Sequence, residues 1–372
     1  MSAKNLSSVI VPPQGDRSFQ SATPLDAGRL SRVKCAFTTR RVDLSGAATV
    51  LSGQLKPAAG DLLLARVTRI RQHTRIELDN GRRARLHIGD EILVCYGDRY
   101  APDQFESLVP DDLGPCHLVA AGGIASKVQA KHQRMKGATE IEPIGLIGDS
   151  NARRINLRDA RIARPASATC RPHTVAVVGT SMNAGKTTTA AHLIKGMDRA
   201  GLRVGAAKIT GTGSGGDVWF MFDSGADPVL DFTDAGYATT FRLDTAELTE
   251  ILDTLAAELA SHDLDAIVLE IADGLMQQET ATLLQSSLFA QRIDQVLFAA
   301  GDAMGAVAGC QWMQARNIPV SGISGALTAS PLSVREVQQV LRLPVFDSEQ
   351  LADPQVAATL VAPMPSQTKL RA

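Results

Sequence analysis

The sequence predicts an α/β protein with a mostly parallel sheet and helices on both faces, preceded by a smaller β-rich, barrel-like domain. From Thr174 onward, apolar strands alternate with amphipathic stretches of helical length, a pattern typical of right-handed βαβ units. Between about Leu30 and Gly97, short runs of β-forming residues are separated by turn residues. The chain has 38 basic and 39 acidic residues. The first 172 positions contain 26 basic and 17 acidic residues, and the remaining positions contain 12 basic and 22 acidic residues. This change of charge also indicates two separately built units.

The composition of the 372 residues excludes several classes of protein. With 44% hydrophobic and 21% charged residues, the chain is globular rather than disordered or collagen-like. No apolar run reaches the ~20 residues that cross a bilayer, and the N-terminus lacks the apolar core of a secretory signal. The five cysteines are scattered without a CxxC spacing, which indicates reduced thiols rather than a disulfide framework or a zinc site. We expect a cytoplasmic protein with no membrane partner.

The basic half predicts a small barrel or a sandwich, with an OB-type barrel as one option. Its candidate strands are 62–70, 74–88 and 91–97, and Asp79-Asn80-Gly81 is a hairpin signal because Asn-Gly supplies positive φ angles. Residues 122–138 predict a glycine-capped helix. The many arginines suit a polyanion, but the aromatic residues are few. This argues against nucleic acid and favours an accessory domain that packs against the acidic half or helps to close the site.

The acidic half predicts strands and helices in alternation. The strands are 174–179, 204–210, 266–272, 295–300, 318–324 and 343–347, and the helices lie near 186–200, 245–261, 304–316 and 331–342. The predicted organisation is a flexible leader (1–27), a β-rich accessory domain (28–150), a linker (151–173), an α/β domain (174–352) and a tail (353–372).

The strongest motif is Gly179-Thr180-Ser181-Met182-Asn183-Ala184-Gly185-Lys186-Thr187-Thr188, between an apolar strand and an amphipathic helix. Its small residues let consecutive backbone N–H groups point at one anion, and the helix adds its positive end. Lys186 would reach the β and γ phosphates of a nucleotide, and the Thr187 hydroxyl would bind Mg²⁺. The motif therefore predicts a P-loop whose nucleotide-binding residues are Gly179, Thr180, Ser181, Asn183, Ala184, Gly185, Lys186, Thr187 and Thr188.

This loop resembles that of the P-loop enzymes of the dethiobiotin synthetase and cobyric acid synthase group. It is also similar to the loop of a P-loop family that includes a D-glutamate N-acetyltransferase. The resemblance covers about residues 174–350 and does not extend to the N-terminal half. It implies a P-loop NTPase sheet that uses ATP and Mg²⁺.

Two further segments match that group in part. Lys208, a glycine-rich loop and Asp217 resemble its KPxxSG…D segment without the proline, and Glu270 resembles the Glu of its VEGAGG segment. The resemblance implies that Lys208 binds a substrate carboxylate or carbamate and that Asp217 and Glu270 join Thr187 as Mg²⁺ ligands. Without the resemblance, Asp217 and Glu270 could equally be acids that cap the end of a helix or a strand. Asp273 is a further acid that could share the metal or orient a nucleophile.

Together with these residues, the resemblance implies a P-loop ATP-dependent enzyme of the ligase type, with Lys186, Lys208 and Glu270 as catalytic residues. It would activate a small carboxylate or carbamate by phosphoryl transfer and so form an amide-type bond. Two alternatives stay open: an acyl-CoA-dependent N-acyltransferase like the D-glutamate enzyme, and a nucleotide-hydrolysing switch or binding module. The sequence identifies neither the substrate nor the oligomeric state, so a homodimer stays open as well.

Overall fold

The computed structural model describes residues 20–165 and 171–361, which form two compact units. The first unit contains the residues up to Arg164 together with 210–219 and 231–255. The second contains 165–209, 220–230 and the residues from Ala256 onward. Neither unit is therefore one continuous stretch of chain. Most of the predicted leader, Cys170 and the end of the predicted tail lie outside the described residues.

The first unit is rich in β-structure. Its strands are β1 (Gln20–Pro24), β2 (Lys34–Cys35), β3 (Thr49–Gly53), β4 (Leu62–Arg69), β5 (Arg75–Glu77), β6 (Arg83–Arg85), β7 (Glu91–Tyr96), β8 (Arg99–Tyr100), β9 (Phe105–Leu108), β10 (Cys116–Ala120), β11 (Ile124–Lys131) and β12 (Thr139–Gly148). Short helical segments lie at α1 (Ala27–Leu30), Phe37–Thr39, Leu44–Gly46 and Leu157–Ala160.

Five strands of the ten-stranded mixed sheet close into a ring. β12 pairs with β4, β4 with β7, β7 with β11, β11 with β10, and β10 again with β12. Alternate residues of β4 belong to two apolar clusters, with Leu63 and Ala65 in one and Leu62 and Leu64 in the other. Both faces of the sheet are therefore buried at β4. The predicted barrel-like β domain is confirmed.

Local sequence signals in this unit have mixed outcomes. The predicted hairpin is present, because β5 and β6 pair on either side of Asp79-Asn80-Gly81, and Gly81 has φ 80°. The helix predicted over 122–138 is wrong, since Ile124–Lys131 of this segment form β11. β11 pairs with β7, β9 and β10, and this pairing outweighs the local helical propensity. Gln20–Pro24, predicted to lie in a flexible leader, pairs with β3.

Two buried carboxylates of the first unit share one arginine. The Arg40 guanidinium lies 2.7 Å from Asp234 and 3.2 Å from Asp231. Both acids are almost fully buried, and the Asp234 carboxylate also accepts a hydrogen bond from the Asp231 N–H. Burial and the Asp231 charge raise the pKa of Asp234 from its ordinary 3.8 to about 6, although Arg40 opposes them. The folded chain therefore holds this proton more tightly than the unfolded chain does.

This shift predicts that the Asp234 contribution to stability falls as pH rises from about 4 to about 6. The folded state binds more protons than the unfolded state in that window, so the slope of the unfolding free energy against pH is negative there. We expect Asp234→Asn to remove a decline on the order of 2 kcal/mol in urea unfolding between those pH values. The exposed Asp79→Asn change is the control. An unchanged slope in Asp234→Asn would contradict the assignment.

The remaining elements follow in chain order. The strands are β13 (His173–Gly179), β14 (Val204–Lys208), β15 (Val229–Asp231), β16 (Ala266–Glu270), β17 (Gln295–Ala299) and β18 (Gly322–Ser324). The helices are α2 (Lys186–Arg199), α3 (Gly215–Asp223), α4 (Thr245–Ala260), α5 (Gln278–Leu284), α6 (Ser287–Arg292), α7 (Ala303–Gln314), α8 (Pro331–Val340), α9 (Ser348–Leu351) and α10 (Pro354–Thr359), with a 3₁₀ turn at Ala326–Ala329.

The second unit is built on a parallel sheet in the order β15-β14-β16-β13-β17-β18. The pairs β14–β16, β16–β13, β13–β17 and β17–β18 are parallel. Apolar residues of β13 such as Val175 and Val177 share a buried cluster with Leu193 and Ile194 of α2. The predicted class, a parallel sheet with helices after a β-rich domain, is confirmed. In the described part of the chain, every helix is too short or too polar to cross a bilayer.

Two predicted strands of this unit differ from the structure. The segment 318–324 contributes only Gly322–Ser324, and 343–347 forms no strand. A single parallel bridge between Ile323 and Val345 takes the place of the latter. The Asp347 side chain instead caps α9, in a reciprocal capping box with Gln350. Helix capping therefore ends the extended segment before it can pair further.

Candidate functional site

The P-loop motif lies between β13 and α2 of the second unit. Gly179 ends the buried strand, and Gly185 stands at the N-cap of α2. Asn183 and Gly185 both adopt left-handed backbone conformations, with φ 64° and 93°. Alternating handedness of this kind curls successive N–H groups around one anion, next to the positive end of a helix. The loop therefore has the backbone form of a phosphate-binding site.

Lys186 closes over this loop. It is 6% exposed, and its Nζ donates a hydrogen bond to the Ser181 carbonyl at 2.7 Å. A Cβ on residue 179 would lie 2.8 Å from the Lys186 Cγ and 2.8 Å from the Ala299 carbonyl oxygen. The close passage of the lysine chain explains why glycine is needed at 179. The ammonium is thereby held at the loop that would receive phosphate oxygens.

Thr187 and Glu270 meet at the carboxyl end of the sheet. The Thr187 hydroxyl donates a hydrogen bond to Glu270 Oε1 at 3.0 Å. Glu270 ends β16 and is 2% exposed. A hydroxyl beside a buried carboxylate supplies the hard oxygen atoms that Mg²⁺ prefers. These two residues fit the predicted metal role, and a Mg²⁺ ion there would neutralise phosphate charge.

Lys208 lies on the neighbouring strand at the same level. It ends β14, and its backbone is in direct register with Glu270 across the parallel pair. The residue is only 9% exposed. A buried ammonium at the carboxyl end of a parallel strand is placed where ligands of open α/β sheets bind. Lys208 thus offers a second cation near the P-loop.

Asp273 is an acid with a strained backbone, and the charges of Lys186 and Lys208 both act on it. It has φ 63°, a conformation that non-glycine residues seldom adopt and that often marks functional sites. Burial raises the pKa of the Asp273 carboxyl. The charges of Lys186 and Lys208 oppose this rise, and the charge of Glu279 adds to it. The buried Glu279 was not predicted as a site residue. The sequence signal that could have found it is Gln277, which caps the same helix. The site therefore combines two ammonium groups with several carboxylates.

A cavity of about 540 Å³ adjoins the P-loop. Its wall includes Asn183, Gly185 and Thr188 on one side, and Asp347 and Glu349 at the start of α9 on another. The 3₁₀ turn at Ala326–Ala329 also lines the cavity, and it is joined to the P-loop because the Ala326 N–H donates to the Ala184 carbonyl at 3.0 Å. The sequence pattern did not place α9 at this site. The cavity is large enough for the nucleoside part of a nucleotide.

The predicted site residues fall into two groups. The P-loop residues from Gly179 to Thr188, with Lys208 and Glu270, lie at the carboxyl end of one parallel sheet. Asp217 lies in the first turn of α3, in a segment that belongs to the first unit. The geometry described for the second unit does not include it, so its metal role remains a prediction.

Gly185→Ala is predicted to destabilise the chain more than Gly201→Ala does. Both glycines have positive φ, at 93° and 80°, so alanine is strained at either position. A Cβ at 185 would also lie 2.9 Å from the Ala326 N, whereas nothing lies within 4 Å of one at 201. We expect a thermal midpoint lower by roughly 4 °C in Gly185→Ala than in the control variant. Equal midpoints would show that the P-loop does not pack against this turn.

No family model matches this chain, and no curated protein matches it. Solved structures do match it over about half its length. The signal recognition particle receptor FtsY from Elizabethkingia anophelis in complex with GDP is 15% identical, with a TM-score of 0.34, over 53% of this chain and 66% of that one. A nucleotide-binding protein from Archaeoglobus fulgidus in complex with ADP is 12% identical, with a TM-score of 0.36, over 50% of this chain and 88% of that one.

A third match is the signal recognition particle 54 kDa protein from Aeropyrum pernix K1 in complex with GDP. It is 20% identical, with a TM-score of 0.34, and the match spans 52% of this chain but only 47% of that protein. These matches each cover about half of the chain, and no specific family is shown. The finer resemblance to dethiobiotin synthetases, cobyric acid synthases and the D-glutamate enzyme stays a prediction.

Proposed function

We propose that this chain is an ATP- and Mg²⁺-dependent enzyme that activates a small carboxylate or carbamate. The observation that carries the proposal is the Thr187–Glu270 hydrogen bond directly beside the P-loop lysine. Lys186 and Thr187 begin α2 and Glu270 ends β16, so these elements would bring the metal-binding oxygens and the phosphate-binding ammonium to the same edge of the sheet. The backbone N–H groups of 179–188 would hold the phosphates, and the adjoining cavity would hold the nucleoside.

Lys208 is our candidate for holding the substrate anion. A carboxylate bound there would lie near the P-loop, because Lys208 is in register with the metal-side acid Glu270. One carboxylate oxygen would attack the γ-phosphorus, ADP would leave, and an acyl phosphate would form. An amine would then attack the acyl carbon, inorganic phosphate would leave, and an amide would result. Positioning and charge neutralisation supply most of the acceleration in such transfers.

Asp273 is our candidate for the base that accepts the proton lost by the amine. Its raised pKa brings the carboxylate closer to the working pH than an exposed aspartate would be. Both lysines act electrostatically on its carboxylate, and its left-handed backbone is a conformation that persists only where the surrounding structure holds it. Base catalysis of this kind contributes about 10² to 10⁴ in rate.

The test measures ADP release from ATP and Mg²⁺ in the presence of a panel of small carboxylic acids with ammonia or an amine. The proposal expects ADP and phosphate in equal amounts, and only when both the acid and the amine are present. Acetyl transfer from acetyl-CoA with release of free thiol and no ADP would overturn the proposal in favour of an acyltransferase. Hydrolysis that ignores every acid would instead support a switch or binding module.

A further inference from the structure

Arg99 is buried in the β-rich unit with most of its donors unused. The residue is 6% exposed and lies in β8, away from the P-loop in sequence and in the other compact unit. Its Nη2 donates to Gln104 Oε1 at 3.0 Å. Its Nε and Nη1 are fully buried and make no hydrogen bond within the described residues. A guanidinium has five N–H donors, so most of this one is removed from water without a replacement.

Two buried hydroxyls lie on the same face of the sheet. Ser107 of β9 is directly opposite Arg99, and its Oγ is buried with no hydrogen-bond partner in the described chain. Ser107 is also opposite Val128 of β11, and Ser126 lies two residues before Val128 on that strand. Side chains two apart on a strand share a face, so Ser126 is a diagonal neighbour of Ser107. The Ser126 Oγ is buried and has no partner either.

The surroundings of Arg99 are largely aromatic, and Asp103 is the acid whose charge acts on it. Phe105 lies under the guanidinium, with 6.0 Å between its ring centroid and the Arg99 Cζ, and the His73 ring packs on Phe105. Burial lowers the pKa of Arg99 to about 10, and Asp103 offsets this only in part. Burial and the Arg99 charge lower the pKa of His73 to about 4, so this ring is neutral at pH 7. His117, opposite Ser126, also has a pKa lowered by burial.

We propose that Arg99, Ser107 and Ser126 form an internal binding site for a small monovalent anion. The shared chemistry is one compact negative charge that accepts hydrogen bonds from a guanidinium and two hydroxyls. A monovalent ion balances the single cation, whereas a phosphate dianion would leave excess charge beside Asp103 in a buried site. Chloride and short carboxylates such as formate and acetate both have this chemistry. The proposal rests on other residues than the proposed nucleotide site and does not depend on it.

The first test follows thermal unfolding at constant ionic strength while gluconate is exchanged for chloride, bromide, formate or acetate. An ion that binds only the folded chain raises the midpoint with its concentration, by roughly 5 °C at a hundred times its Kd. We expect this rise in the unaltered chain and its loss in Arg99→Met. The exposed Arg75→Met change is the matched control and should keep the response. A response to halides alone or to carboxylates alone identifies which source occupies the site.

A second variant keeps the test decisive where Arg99→Met fails to fold. Ser107→Ala combined with Ser126→Ala leaves the cation in place and should weaken anion affinity about tenfold, as expected for two lost hydrogen bonds. Crystals grown in bromide should show an anomalous peak in contact with Arg99. The proposal is overturned by an equal response in the unaltered chain and the serine variant, by no response in either, or by an internal water only at this position.

Discussion

Lys186→Ala is expected to lower nucleotide-dependent turnover by at least about 100-fold, the usual cost of removing one charge that stabilises a phosphoryl-transfer site. The Lys186 ammonium already lies at the loop, bound to the Ser181 carbonyl and shielded from solvent. In this position it loses little side-chain entropy when it exchanges that carbonyl for a phosphate oxygen. The same variant should lose the rise in thermal midpoint that ATP and Mg²⁺ give to the unaltered chain.

Lys195→Ala is the control for this change, because Lys195 lies on the same helix but pairs with Asp198 at the surface. It removes an identical charge from α2 without touching the P-loop. Its turnover and nucleotide response should match those of the unaltered chain. If Lys186→Ala responded to ATP as strongly as Lys195→Ala, the P-loop assignment itself would fail.

Thr187→Val and Glu270→Gln are expected each to lower turnover by about 100-fold or more and to raise the Mg²⁺ concentration required, since each removes a hard oxygen ligand without changing the side-chain volume. The two side chains are hydrogen bonded at 3.0 Å, so they act as one unit. Removing both should therefore cost much less than the product of the single effects. A double-mutant cycle on kcat at saturating ATP measures this coupling.

Thr189→Val provides the comparison for this cycle. Its hydroxyl also lies in α2 and donates to the Ser324 hydroxyl at 3.3 Å, away from Glu270. Combined with Glu270→Gln, it should give effects that multiply. Multiplying effects in the Thr187 cycle as well would show that Thr187 and Glu270 do not hold a common ion.

The parts of the site that the sequence predicted are those determined by neighbouring residues. An apolar strand, a loop of small residues and an amphipathic helix follow each other within 174–200, so local conformation is enough to predict the P-loop. Glu270 was predicted for a similar reason, because it ends a strand of five buried residues. Its contact with Thr187 spans 83 positions, and before the structure only the family resemblance implied that the two residues share an ion.

The errors occur where distant partners determine the structure. Residues 122–138 carry a local helical signal, and the pairing of β11 with three strands overrides it. The segment 343–347 is apolar enough for a strand, but the capping box of Asp347 and Gln350 starts α9 there. The start of the same helix brings Asp347 and Glu349 to the cavity. No sequence pattern near the P-loop predicts that these two acids lie there.

The first unit is built from separate stretches of the chain, and this affects when it can fold during synthesis. Its buried Glu77 accepts hydrogen bonds from Ser214 Oγ at 3.0 Å and the Gly215 N–H at 2.8 Å, and Arg40 pairs with Asp231 and Asp234. While the ribosome has released only the first 164 residues, both side chains lack these partners, and burying them would be costly. We therefore expect the first unit to complete its folding only after the stretch up to residue 255 has been synthesised, in contrast to the usual N-to-C order of domain folding.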